Sequence, residues 1–228
     1  MTVNAKRLLS RESIRSLASK VKRRHAMPWG RDLARQGGPA DTVWLGVIDA
    51  QGRAVSFIQS LYHEFGCGAV LEKTGINWQN RGCSFSLDQY AVNALMPRKK
   101  PFHTLNPPLA VLKDGRTIVY GAMGGDGQPQ TQAAIFTRMV NFGMDPQAAI
   151  NAPRWLFGRA WGEESDTLKL ESRFEMGLPH SLMEWGHEVE ILEPYDETVG
   201  HAGAIVRHQS GALEGGSDPR SDGGVAAY

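Results

Sequence analysis

Between residues 42 and 60 the chain reads as a long β-hairpin, and that hairpin limits what the rest can fold into. Thr42 to Asp49 and Arg53 to Ser60 are two strand-like runs around the turn Asp49-Ala50-Gln51-Gly52. Val43, Leu45 and Val47 alternate along one face. Ala54 to Ile58 is nearly continuous apolar and reads as buried on both faces. A strand pair of this kind must be covered by further layers.

The remaining elements suggest what those layers are. Leu109 to Leu112 and Thr117 to Tyr120 flank a Lys113-Asp114-Gly115 turn. Gln130 to Phe142 reads as a helix stopped by Gly143, and Asp145-Pro146 opens a short helix through Ile150. Thr167 to Leu170 is a strand, and Pro179 to Trp185 a short helix closed by Gly186. Glu188 to Leu192, Ala202 to Val206 and Leu213 to Gly216 are late strands. Strands grouped early and late, with helices between, predict an α+β fold. Helices would pack on antiparallel sheet layers rather than in a βαβ repeat.

Ahead of the hairpin the texture differs. Residues 1–41 carry ten Lys/Arg against three Asp/Glu, and the remainder fifteen against twenty-one, which divides the chain into 1–41 and 42–228. Residues 10–25 read as an amphipathic helix, with Ile14, Leu17, Ala18 and Val21 on one face. Residues 26–41, with Pro28, Gly30, Gly37, Gly38 and Pro39, read as a mobile connector. The overall net charge of +1 gives no pull toward nucleic acid or membrane. No apolar run approaches the roughly 20 residues needed to span a bilayer, and Met1 to Ser10 lacks the apolar core of a secretory signal. Cys67 and Cys83 fit no metal or redox spacing and read as free thiols in a reducing compartment, the cytoplasm. Neither a metal nor a cofactor is expected.

Chemistry centres on Thr42. A threonine hydroxyl is a weak nucleophile until a base sits beside it, and a free α-amine on the same residue, titrating near pH 8, is such a base. Freeing that amine requires cutting Asp41–Thr42, which the Thr42 hydroxyl can do by attacking the Asp41 carbonyl. A threonine opening a strand is also an ordinary structural residue, so context decides. Met123-Gly124-Gly125-Asp126-Gly127 lies between a strand and a helix, where adjacent glycines leave N–H groups uncovered, as an oxyanion hole needs. A phosphate loop would use similar glycines, but the following Gly-Lys-Ser/Thr is missing. His103 and Thr104 offer an imidazole and a hydroxyl on a loop.

The run Asp41 to Asp88 resembles the start of the catalytic small subunit of γ-glutamyltransferases. Lys99 to Leu112, Met123 to Gly125 with the helix after it, Asn151 to Trp155 and the closing SDPRSDGGVAAY resemble the same family, in order. The resemblance implies an N-terminal nucleophile hydrolase with an αββα sandwich, incomplete without a large subunit, whose precursor cuts itself before the residue matching Thr42. Residues 1–41 look like the tail of that large subunit. Ser60 stands where the family has a second hydroxyl beside the nucleophile, and Gly124 and Gly125 match its oxyanion glycines. Thr104 keeps a hydroxyl where the family has paired serines, and His103 replaces the first of them. Tyr62 stands where the family commonly has Asn, Arg81 where it has Gln, and Ser84 where it has Asp.

That Asp would hold the ammonium of a γ-glutamyl group, whereas Arg81 is a planar donor suited to a carboxylate. Ser60 to Gly66 and Trp78 to Gly82 are similar to a branch that includes oxamate amidohydrolase, whose substrate carries a carboxylate and no ammonium. The expected activity is therefore hydrolysis of a small carboxylate-bearing amide. Hydrolysis or transfer of γ-glutamyl groups from glutathione is the second possibility, and a fragment or binding subunit that never matures the third. An ordinary ion pair remains open for Arg81.

Overall fold

The computed structural model describes residues 4–27, 40–159 and 165–228. Most of the expected connector lies outside them. At the start, α1 (Ala5–Leu8) precedes α2 (Arg11–Lys20), which Ser10 caps by accepting the Ser13 N–H at 3.2 Å. The helix stops at Lys20, short of the expected 25, because Val21 is extended. Ile14, Leu17 and Val21 lie exposed.

The hairpin forms as expected, from β1 (Ala40–Ile48) and β2 (Ala54–His63). Asp49 closes the turn by accepting the Arg53 N–H at 2.8 Å. Two short strands, β3 (Val70–Leu71) and β4 (Ile76–Asn77), follow as a separate small hairpin that no periodic run announced. β5 (Leu109–Val111) and β6 (Thr117–Ala122) lead into α3 (Gln128–Val140) and α4 (Pro146–Asn151). After β7 (Trp155–Phe157) come β8 (Leu168–Glu171), α5 (Gly177–Glu184), β9 (Val189–Leu192), β10 (Ala202–Arg207) and β11 (Leu213–Ser217).

Three layers result. A four-stranded antiparallel sheet, in order β11-β10-β6-β5, lies in the middle. Helices α3 and α4 cover one face, burying Ile135, Met139, Ala149 and Ile150 against Ile118, Ala122, Ala204 and Val206. The β1–β2 hairpin covers the other face. Trp44 fixes that contact: its ring fills space that a β-carbon at Gly121 or Gly203 would occupy. Its indole N–H donates to Ser56 Oγ at 2.9 Å, and Ser56 Oγ lies 3.2 Å from the Tyr120 carbonyl. A separate sheet, β7-β8-β9, contains one parallel pair, β8 with β9, joined through α5. This single βαβ unit departs from the all-antiparallel expectation.

The reading of Ala54 to Ile58 as buried on both faces is corrected. Val55 and Phe57 are 50% and 46% exposed, on the same face as Val43, Leu45 and Val47. That outer face is apolar, and no layer among the described residues covers it. Helix, sheet and hairpin thus supply three layers of an αββα sandwich.

Candidate active site

Thr42 sits at the edge of the hairpin, where the two strands fall out of register. Asp41 faces Tyr62 and Thr42 faces Ser60, so Leu61 is the extra residue of a β-bulge opposite the Asp41–Thr42 bond. Tyr62 takes φ 79°, a conformation a non-glycine residue rarely adopts without support. The support is visible. Tyr62 N–H donates to Ser60 Oγ at 2.9 Å, its ring stacks on His63 with centroids 4.4 Å apart, and the Arg81 guanidinium lies 4.8 Å from its centroid.

Ser60 Oγ is the hub. It lies 2.8 Å from Thr42 Oγ1, and accepts from Tyr62 N and from Arg81 Nη2 at 2.9 Å each. Thr42 Oγ1 donates to Ser60 Oγ, so Ser60 holds the Thr42 hydroxyl in one orientation.

Arg81 is carried by a 3-10 turn, Arg81–Ser84, and is 1% exposed. Its Nη1 donates to buried Thr104 Oγ1 at 3.3 Å, and its backbone N–H is capped by the Gln79 side chain. Burial holds the guanidinium below its ordinary value. No carboxylate partners it among the described residues. Burial also pushes the Tyr62 phenol up, and Cys83 and Asp126 push the same way.

The glycine turn approaches from β6. Gly124 (φ 133°) and Gly125 (φ 52°) follow the strand, and their N–H groups have no acceptor among the described residues. A β-carbon on Gly46 would meet Val119, and Trp44 lies on Gly121. Asp126, in the same turn, acts on the Tyr62 phenol, which places the turn within electrostatic reach of the end of β2. Thr42, Ser60, Tyr62, Arg81 and Thr104 are joined by direct contacts, and the glycine turn lies at the same end of the layers. Ser84 is not joined by its side chain to this group: its hydroxyl donates to the Arg81 carbonyl at 2.8 Å, closing the turn that carries Arg81. His103 is exposed, with Nδ1 2.8 Å from the Pro101 carbonyl. Gln79 and Asn80 escaped sequence reasoning. Asn80 accepts the His63 N–H at 3.1 Å and donates to the Gly66 carbonyl at 3.0 Å, pinning the Arg81 turn to the end of β2. Cys67 and Cys83 are free and exposed.

Next to the turn, burial holds His201 below its ordinary value, against the opposing pull of Asp218 and Glu197. An unfolded imidazole therefore takes up a proton that the folded one resists, and stability falls as pH drops below the unfolded value of 6.5. Thermal melts from pH 7.5 downward are expected to show this fall, and His201→Gln to flatten it. Parallel pH slopes for the two proteins would contradict the assignment.

A family model described as gamma-glutamyltranspeptidase matches residues 1–228. The chain is 56% identical over 228 residues to the oxamate amidohydrolase proenzyme of Klebsiella pneumoniae, a match covering 100% of this chain and 42% of that protein. It is 54% identical over 185 residues to the glutathione hydrolase-like YwrD proenzyme of Bacillus subtilis, covering 81% of this chain and 35% of that protein. Among solved structures, cephalosporin acylase from Bacillus halodurans superposes with a TM-score of 0.79 at 33% identity, covering 100% of this chain and 40% of that one. The chain thus spans less than half the length of each of these proteins.

Proposed function

The chain belongs to the gamma-glutamyltranspeptidase family, and on that premise we propose that it is the catalytic part of an amidohydrolase that cuts itself at Asp41–Thr42 and hydrolyses a small carboxylate-bearing amide such as oxamate. One observation carries the substrate class: Arg81 is buried without a carboxylate partner among the described residues. A buried cation left alone costs several kcal/mol, and a substrate carboxylate gripped by two N–H groups offsets that cost. The similarity to an oxamate amidohydrolase proenzyme supports the same class.

In maturation, Thr42 Oγ1 attacks the Asp41 carbonyl carbon and the acyl group moves from nitrogen to oxygen. Water cleaves the ester, leaving the Asp41 carboxylate and a free Thr42 amine. In turnover, that amine takes the Thr42 hydroxyl proton as the oxygen attacks the substrate amide. Gly124 and Gly125 N–H groups receive the tetrahedral oxyanion. Collapse expels ammonia with the proton the amine had taken. Water then releases the acid and restores Thr42. Arg81 and Tyr62 hold the carboxylate, with Ser60 orienting Thr42 and Thr104 supporting Arg81.

The apolar outer face of the hairpin suits a large subunit from the same family, supplied by a separate chain or by further sequence. The free thiols suit a cytoplasmic setting. Hydrolysis of γ-glutamyl compounds is the rival reading, favoured by the similarity to a glutathione hydrolase-like proenzyme. Against it, Ser84 carries no charge and its hydroxyl is engaged by the Arg81 carbonyl. Produced with a large-subunit partner, the enzyme is expected to turn over oxamate with kcat/KM about 100-fold or more above a chromogenic γ-glutamyl anilide, the ratio that losing two charged contacts implies. Equal or greater turnover of the anilide would reverse the substrate assignment.

A further inference from the structure

Two motifs of the sequence, Asn151 to Trp155 and the closing Ser217 to Tyr228, take no part in the site above, yet they meet in one buried cluster. Arg154, Glu171, Asp218 and Arg220 are all more than nine-tenths buried. Arg154 pairs with Asp218, and Arg220 joins Asp218 to Glu171. Buried ion pairs contribute little net stability compared with well-packed apolar side chains, so what this cluster holds in place matters more than its own energy.

It holds the segment 199–202. Thr131 Oγ1 donates to the Val199 carbonyl at 2.9 Å, and Arg154 Nη2 to the Gly200 carbonyl at 2.7 Å. Met123 N–H donates to the His201 carbonyl at 2.9 Å, and Ala202 N–H to Asp218 Oδ2 at 2.7 Å. Four consecutive residues each have a main-chain group bound from outside. This clamped segment lies directly against the glycine turn. Gly200 has φ 82°, and a β-carbon there would run into the Met123 carbonyl oxygen and stand 3.7 Å from Gly124 Cα. A β-carbon at Gly124 would stand 3.2 Å from Gly200 Cα. Main chain touches main chain here, and main chain cannot rotate away as a side chain can.

We propose that Gly200, clamped by Arg154, Asp218 and Thr131, is a positioning residue for the oxyanion turn. It fixes where the Gly124 and Gly125 N–H groups point. The inference rests on the proposed amide hydrolysis. An oxyanion donor contributes about 10²–10³ to kcat only when aimed at the oxygen as charge develops. A small displacement of Met123 and Gly124 therefore lowers kcat and leaves ground-state binding nearly unchanged.

Gly211 supplies the control: it has φ 90° and no atom within 4 Å of its would-be β-carbon, so alanine there strains the backbone without pressing on the turn. The enzyme is assayed on oxamate with its large-subunit partner, with rates expressed per chain that begins at Thr42. Gly200→Ala is expected to lower kcat about 30-fold or more with KM within about threefold, while Gly211→Ala keeps kcat within about threefold. Thr131→Val, which frees the Val199 carbonyl without adding bulk, reads the same effect in a well-folded variant if Gly200→Ala does not mature, with an expected kcat loss of about three- to tenfold at unchanged KM. Normal kcat in Thr131→Val together with normal kcat or no maturation in Gly200→Ala overturns the inference, as does an equal kcat loss in Gly200→Ala and Gly211→Ala. Those outcomes leave amide hydrolysis standing. Failure of the unsubstituted enzyme to hydrolyse oxamate overturns the substrate reading, and this inference with it.

Discussion

Replacing Thr42 by alanine is expected to leave the bond to Asp41 uncut and to lower amide turnover by about 10⁵-fold or more, the scale of a lost nucleophile. Both effects have one cause. In the proposed mechanism the hydroxyl that attacks the Asp41 carbonyl is the one that later attacks substrate, and its partner at 2.8 Å is Ser60 Oγ. Thr42→Ser keeps the oxygen and is expected to retain cleavage and turnover within about 100-fold. The fold should survive either change. In Thr42→Ala, Ser60 Oγ loses one donor at a part-buried site and keeps those of Tyr62 and Arg81, a cost of about 1 kcal/mol, while the Trp44 contacts that seat the hairpin are untouched. Intact-mass measurement of the chain and ammonia release from oxamate read the two effects separately. Normal ammonia release from an uncut Thr42→Ala chain would remove Thr42 from the mechanism.

Arg81→Met is expected to lower kcat/KM on oxamate about 10²–10³-fold, because two charge-assisted hydrogen bonds of about 1.5–3 kcal/mol each are lost and about 1.4 kcal/mol is tenfold. It is also expected to raise the melting temperature. Arg81 is 1% exposed and lacks an anionic partner among the described residues, so an apolar chain of similar length relieves an uncompensated buried charge. A simple structural ion pair would behave in the opposite way. Because Arg81 Nη2 also donates to Ser60, a carboxylate-free amide separates the two roles. Its turnover should change less than about tenfold if the main role of Arg81 is to hold the carboxylate. Equal losses on both amides would make Arg81 a support for the nucleophile alone.

The strands were legible where a short apolar run is bounded by turn residues. Thr117 to Tyr120 and Ala202 to Val206 emerge as β6 and β10 with ends shifted by two residues or fewer. Helix 10–25 overran because apolar spacing continues to Val21 after the backbone has turned extended. The run Ala54 to Ile58 misled for a different reason: pattern records which side chains are apolar, not what covers them, and Val55 and Phe57 face outward. β7 is only three residues long and exists through its pairing with β8, so no local signal marks it.

The site was legible in its residues rather than in its geometry. Thr42, Ser60, Arg81 and Thr104 are separated by up to 62 positions, and only the fold brings their side chains together. The resemblance pointed to them; spacing alone would not have. The bulge opposite Asp41–Thr42 leaves no trace in the sequence, because Leu61 fits a strand as well as its neighbours do. The clamp on Gly200 is equally silent, since its hydrogen-bond partners come from α3, the approach to β7 and the C-terminal motif.

Maturation is the central claim, and intact-mass spectrometry of the unsubstituted protein, produced with its large-subunit partner, tests it most directly. The account predicts a fragment whose first residue is Thr42 and a complementary fragment ending at Asp41. An uncut chain that nevertheless hydrolyses oxamate, or a cut at any other bond, would contradict it.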